Sequence, residues 1–73
     1  MIEVDANLKP GDLVYAWFTP FREKDTKRHD ETEYRLCDLR KGWVKLESTG
    51  GGYSLVLEGG LLETWFGRIR KAK

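Results

Sequence analysis

The stretch Lys9-Pro10-Gly11-Asp12-Leu13-Val14-Tyr15-Ala16-Trp17-Phe18-Thr19-Pro20 decides the fold class. Pro10 pre-sets φ and Gly11 is free to take φ > 0, so Lys9–Asp12 reads as a turn. The β-branched and aromatic residues that follow suit a pleated strand from Leu13 to Phe18. Pro20 stops that strand because proline donates nothing to a ladder. Neighbouring side chains on a strand point to opposite faces, so Leu13, Tyr15 and Trp17 share one face and Val14, Ala16 and Phe18 the other. Both faces are apolar. One small interior has no room for both, and the sequence leaves open which is core. The second face is covered either by a loop folded back over it or by a partner.

Downstream, the segment from Arg22 to Thr32 carries charges throughout and no apolar face, which reads as a long exposed loop. Tyr34 to Leu39 resumes a strand pattern, and Arg40-Lys41-Gly42 turns it. Trp43 to Glu47 alternates, with Val44 and Leu46 on one face. Ser48 to Gly52 forms a looser turn, and Tyr53 to Leu57 is the next strand. After Glu58-Gly59-Gly60, Leu61-Leu62-Glu63-Thr64 reads as one helical turn before a closing strand from Trp65 to Arg70. The glycine clusters forbid a long helix in this half. The expected class is therefore all-β: a small SH3-like barrel of about five strands with one long charged loop. A small open sheet that dimerises is the competing architecture.

Seventy-three residues make one domain spanning 1–73, with a stability of about 3–5 kcal/mol. Cys37 is the only cysteine, so no disulfide forms within the chain. It reads as a small apolar strand residue, and a reducing, cytoplasmic setting is expected. The acidic opening Met1-Ile2-Glu3-Val4-Asp5 lacks a secretory pattern, no apolar run reaches membrane-spanning length, and the Met1 start reads as a complete small reading frame. A net charge of +1 argues against indiscriminate binding to phosphate backbones. Basic residues do gather at the C-terminus, where residues 68–73 form a basic tail with Arg68, Arg70, Lys71 and Lys73.

Catalytic chemistry finds no support. His29, the only histidine, lies in the charged loop with no ligand spacing around it, so neither a metal site nor a nucleophilic constellation forms. Gly50-Gly51-Gly52 precedes a strand and lacks the Lys-Ser or Lys-Thr of a phosphate loop, so it reads as a hairpin turn. Asp30 and Glu31 are adjacent but exposed, where little shifts a carboxylate for acid–base work. No enzyme activity and no cofactor are expected. The positive signal is aromatic: three Trp, three Tyr and three Phe, with Trp17-Phe18 and Trp65-Phe66 adjacent.

The run Gly11-Asp12-Leu13-Val14-Tyr15-Ala16-Trp17-Phe18-Thr19-Pro20-Phe21 resembles the opening of KOW-type small barrels, found in NusG-like transcription factors and some ribosomal proteins. The shared elements are Gly-Asp-x-Val, the apolar Ala16 and Pro20-Phe21. Thr19 stands where that family has glycine, and the charged loop replaces its downstream glycines. The resemblance implies that Val14 and Ala16 face the core and that the partner belongs to transcription or translation: RNA, RNA polymerase or a ribosomal component. Tudor-like barrels are similar through the same Gly-Asp start and Tyr34-Arg35-Leu36, which implies an aromatic cage including Phe18 and Tyr34. In size and charge profile the chain is also similar to the small regulators that phages encode against RNA polymerase.

Three functional readings follow. The first is a protein-binding transcription regulator (antitermination or inhibition) that contacts RNA polymerase through Trp17, Phe18, Phe21, Arg22 and Tyr34, since interfaces enrich aromatics and arginine. The second is a barrel binding RNA or single-stranded DNA, with Arg68, Arg70, Lys71 and Lys73 along the backbone. The third is an assembly protein that oligomerises through the surplus apolar face. A monomer or weak homo-oligomer with no membrane partner is expected.

Overall fold

The turn expected at Lys9–Asp12 forms. In the computed structural model, which describes residues 1–19 and 31–72, the Asp12 amide donates to the Lys9 carbonyl at 3.1 Å and Gly11 has φ 99°. The Asp12 carboxylate accepts from the Lys9 amide at 3.0 Å. The turn is tied to the neighbouring strand, where Leu36 donates to Asp12 and accepts from Gly11, both at 2.8 Å.

Six strands and one short helix follow in the order β1 (Ile2–Val4), β2 (Leu13–Thr19), β3 (Thr32–Arg40), β4 (Trp43–Ser48), β5 (Ser54–Glu58), α1 (Gly60–Thr64) and β6 (Phe66–Lys71). They form one curled sheet in the spatial order β1-β6-β2-β3-β4-β5, a half-barrel. All pairings are antiparallel except β1 with β6, which is parallel. The chain is thus all-β, as expected, and the expected helical turn is α1. The strand count needs correcting from five to six among the described residues. The added strand, β1, pairs Ile2 with Gly67, Glu3 with Arg68 and Val4 with Ile69. Most of the expected charged loop lies outside the described residues, apart from exposed Glu31 and Thr32, the first residue of β3.

The concave face of the sheet is the core. Val14, Leu36, Leu46 and Ile69 are fully buried, Ala16 and Val44 nearly so, and Ile2, Leu8, Tyr34 and Leu57 complete the cluster. Val14 and Ala16 face inward, which decides the question that the two apolar faces of β2 left open. Val44 and Leu46 also share the inner face, as their spacing predicts. Half-buried Phe18 packs against the same core. Fully burying side chains of this size contributes about 1.5–3 kcal/mol each.

β3 departs from simple alternation. Its register with β4 shifts between Leu36 and Asp38, so Leu36 faces Leu46 and Leu39 faces Val44. A β-bulge at Cys37 absorbs the extra residue and brings Leu36 and Leu39, three apart in sequence, onto one face. Cys37 is a half-buried strand residue, with its Sγ 3.8 Å from the Arg35 carbonyl oxygen.

The two outer strands, β1 and β5, do not pair with each other. Helix α1 contacts both, and its Leu61 and Leu62, with Trp65 just after it, pack onto the core. A single turn of helix therefore covers the opening that a further strand pairing would close. No described helix is long and apolar enough to cross a membrane.

Candidate functional site

The convex face of β2, β6 and β1 carries a strip of aromatic and charged side chains. Antiparallel register sets Tyr15 between Glu33 of β3 and Arg70 of β6, and it sets Trp17 beside Arg68. Arg68 in turn faces Glu3 of β1, and Phe66 faces Thr19. Side chains two residues apart on a strand share a face, so Tyr15, Trp17, Phe66, Arg68 and Arg70 form one surface.

Arg70 is held on two sides. Its Nε and one terminal nitrogen donate to the two carboxylate oxygens of Glu31, each at 2.8 Å, and its guanidinium lies 4.9 Å over the Tyr15 ring. The hydrogen bonds it donates to Glu31 raise the guanidinium pKa further above its ordinary value. Arg68 donates to the Asp5 carboxylate at 3.2 Å, and the second oxygen of that carboxylate accepts the Lys71 amide at 3.3 Å. Each arginine on this face therefore carries its own counter-charge.

Between these groups lies a recess of about 340 Å³ lined by Met1, Glu3, Trp17, Phe66 and Gly67. Gly67 makes this corner possible: a Cβ here would collide with the Trp17 carbonyl oxygen, so any side chain would force β6 away from β2. Trp17 and Phe66 are half-buried. No hydrogen bond or ion pair among the described residues holds the Glu3 carboxylate.

A second aromatic group sits on the other face. Phe18 and Tyr34 have ring centroids 6.4 Å apart, and Tyr34 meets Tyr53 edge to face at 6.4 Å. The two phenol oxygens are 3.4 Å apart. Tyr34 is 6% exposed, and burial, followed by the hydrogen bond to Tyr53, pushes its pKa up to about 12. Its ring is packing for the core, inserted between Phe18 and Tyr53. The two rings that the Tudor-like resemblance assigned to a cage thus pack against each other at a tilt of 40°, with one of them buried.

The expected contact residues consequently separate. Trp17 lies on the convex face, while Phe18 and Tyr34 belong to the core side. Phe21, Arg22 and Lys73, like His29, lie outside the described residues. Arg68, Arg70 and Lys71 are residues of β6, so the basic segment is sheet through Lys71. Glu3 and Phe66 were not singled out by the sequence. Trp65-Phe66 is conspicuous as an aromatic pair, but which ring faces the recess depends on the β2–β6 register, and nothing in the acidic opening marks Glu3. Among the described residues no group of three His, Cys, Asp or Glu is placed to hold a metal ion. Compared with protein-family models, curated proteins and solved structures, the chain has no match in any of the three.

Proposed function

We propose that this chain is a non-enzymatic protein-binding regulator that docks through the convex face of β1, β6 and β2. The observation that carries this reading is the recess between Trp17 and Phe66, bordered by the Glu3 carboxylate, which no hydrogen bond or ion pair among the described residues holds, and flanked by arginines already matched with Glu31 and Asp5. An aromatic recess with a charged rim suits the anchoring side chain of a protein partner. Nucleic acid suits it less well, because the carboxylates beside Arg68 and Arg70 repel a phosphate backbone that those arginines would otherwise attract. The KOW-like opening directs the search for a partner to the transcription apparatus, with RNA polymerase first, in the reducing interior of the cell.

The test is binding of the purified chain to purified host RNA polymerase, read by interferometry at low and high salt with nuclease present. Trp17→Ala is expected to weaken binding about thirtyfold, the equivalent of about 2 kcal/mol for an anchoring ring. A folded Trp17→Ala variant that binds as well as the parent overturns the choice of face. Binding that disappears with nuclease, or that falls by orders of magnitude over a modest salt range, transfers the reading to nucleic acid.

A further inference from the structure

The two outer strands of the half-barrel differ in what they expose, and β5 is left open in a way that specifies a partner. Ser48 donates to Tyr53 at 2.8 Å and Gly59 donates to Gly42 at 3.1 Å, both in register with the β4–β5 ladder. Hydrogen-bonded pairs alternate along an antiparallel ladder, so Tyr53, Leu55 and Leu57 spend their backbone groups on β4. The N–H and C=O groups of Ser54, Val56 and Glu58 therefore point away from the sheet, and no hydrogen bond among the described residues reaches them. Val56 is 45% exposed, and Ser54 and Glu58 are exposed on either side of it. Natural edges are blunted by lysine, proline, a bulge or brevity. Ser54-Leu55-Val56-Leu57-Glu58 contains no lysine, proline or bulge; its one charged side chain is Glu58 at the end of the strand, and helix α1 contacts the strand.

We propose that β5 pairs antiparallel with β5 of a second copy of this chain, about a two-fold axis through Val56. That register is chosen by charge and by hydrogen bonding together. It sets Val56 opposite Val56 and Ser54 opposite Glu58 in both directions, so each outward-facing residue meets another and exchanges two backbone hydrogen bonds. A register centred on Glu58 sets two carboxylates face to face, which is unfavourable. The chosen register also covers the most exposed aliphatic strand residue with its own copy and brings inward-facing Leu55 opposite Leu57. An interface one strand wide is well below standard size, so association is weak, with Kd on the order of 0.1–1 mM.

Sedimentation equilibrium of the isolated chain from about 10 µM to about 1 mM, a range bracketing that Kd, tests the pairing. Amide exchange of Ser54, Val56 and Glu58 is followed over the same range. The expected result is a mass rising toward the dimer, with protection gained at those three amides. Val56→Glu is expected to hold the chain at monomer mass. Within one copy the new carboxylate faces Lys45 across the ladder and keeps the fold, whereas across the axis two carboxylates meet. Ser54→Lys is expected to tighten association about two- to tenfold, because each lysine then faces Glu58 of the other copy. A wild-type chain that stays at monomer mass through 1 mM overturns the proposal. So does association that ignores Val56→Glu, or a Ser54→Lys variant that associates no better than the parent.

Discussion

The β1–β6–β2 side of the half-barrel and the β4–β5 side use the same sheet in different ways. On the first, the outer strand has three residues, its central side chain is Glu3, and Asp5 just beyond it holds Arg68. That edge is short and acidic, and recognition there falls to side chains: Trp17, Phe66 and the matched arginines around the recess. On the second, the outer strand has five residues, its side chains are less distinctive, and what it offers is unpaired backbone with Val56 between exposed neighbours. A curled sheet that stops short of closure has two ends, and here one is specialised for side-chain chemistry and the other for strand pairing. The difference also divides tolerance to mutation. The first side depends on a close backbone approach, whereas the second is open to solvent.

The sharpest way to break the comparison is Gly67→Val. Its Cβ has no room beside the Trp17 carbonyl, so about 3 kcal/mol of stability is expected to be lost. That is comparable to the whole stability of about 3–5 kcal/mol for a domain of this size, so urea titration followed by circular dichroism is expected to find the variant largely unfolded. At the other end Val56→Glu is expected to stay within about 0.5 kcal/mol of the parent in the same titration. Equal losses at the two positions would abolish the distinction.

Next in size, the buried phenol separates core aromatics from surface ones. Tyr34 has a pKa raised to about 12, against about 10 for an unfolded tyrosine. Its proton is bound more tightly in the folded state, so the associated stability is complete below pH 10 and is lost as pH rises from 10 toward 12. Stability measured across that window is expected to fall, and Tyr34→Phe is expected to flatten the fall. A Tyr34→Phe variant with the parent's alkaline profile would place the titration elsewhere. The smallest effect concerns Arg70 and Glu31. Despite the bidentate geometry both side chains are partly exposed, so a double-mutant cycle with Arg70→Ala and Glu31→Ala is expected to give a small coupling that shrinks with salt.

Most of the strand order was legible because it rests on local signals. The Pro10-Gly11 turn, the two-residue period of β2 and β4, the glycine turns before β5 and α1, and the single turn of α1 all arise from residues within a few positions of one another. β1 was not legible. Three residues carry too little periodicity to mark a strand, and its pairing with β6 joins the two ends of the chain. The bulge at Cys37 was also hidden, since the spacing of Leu36 and Leu39 fits no strand period until β4 supplies the register.

The candidate site was less legible than the fold for the same reason. Sequence alone established that β2 has two apolar faces and that the chain has more aromatic rings than one small interior accepts. It also established that basic residues gather near the C-terminus. Only the tertiary structure decided that Val14 and Ala16 turn inward and Trp17 outward, that Tyr34 is packing, and that Arg68 and Arg70 are matched by Asp5 and Glu31, 63 and 39 residues away in sequence. Local sequence sets the period of a strand, but the face it buries and the charges it meets depend on which distant strand lies beside it, and that is fixed only when the sheet curls around its core.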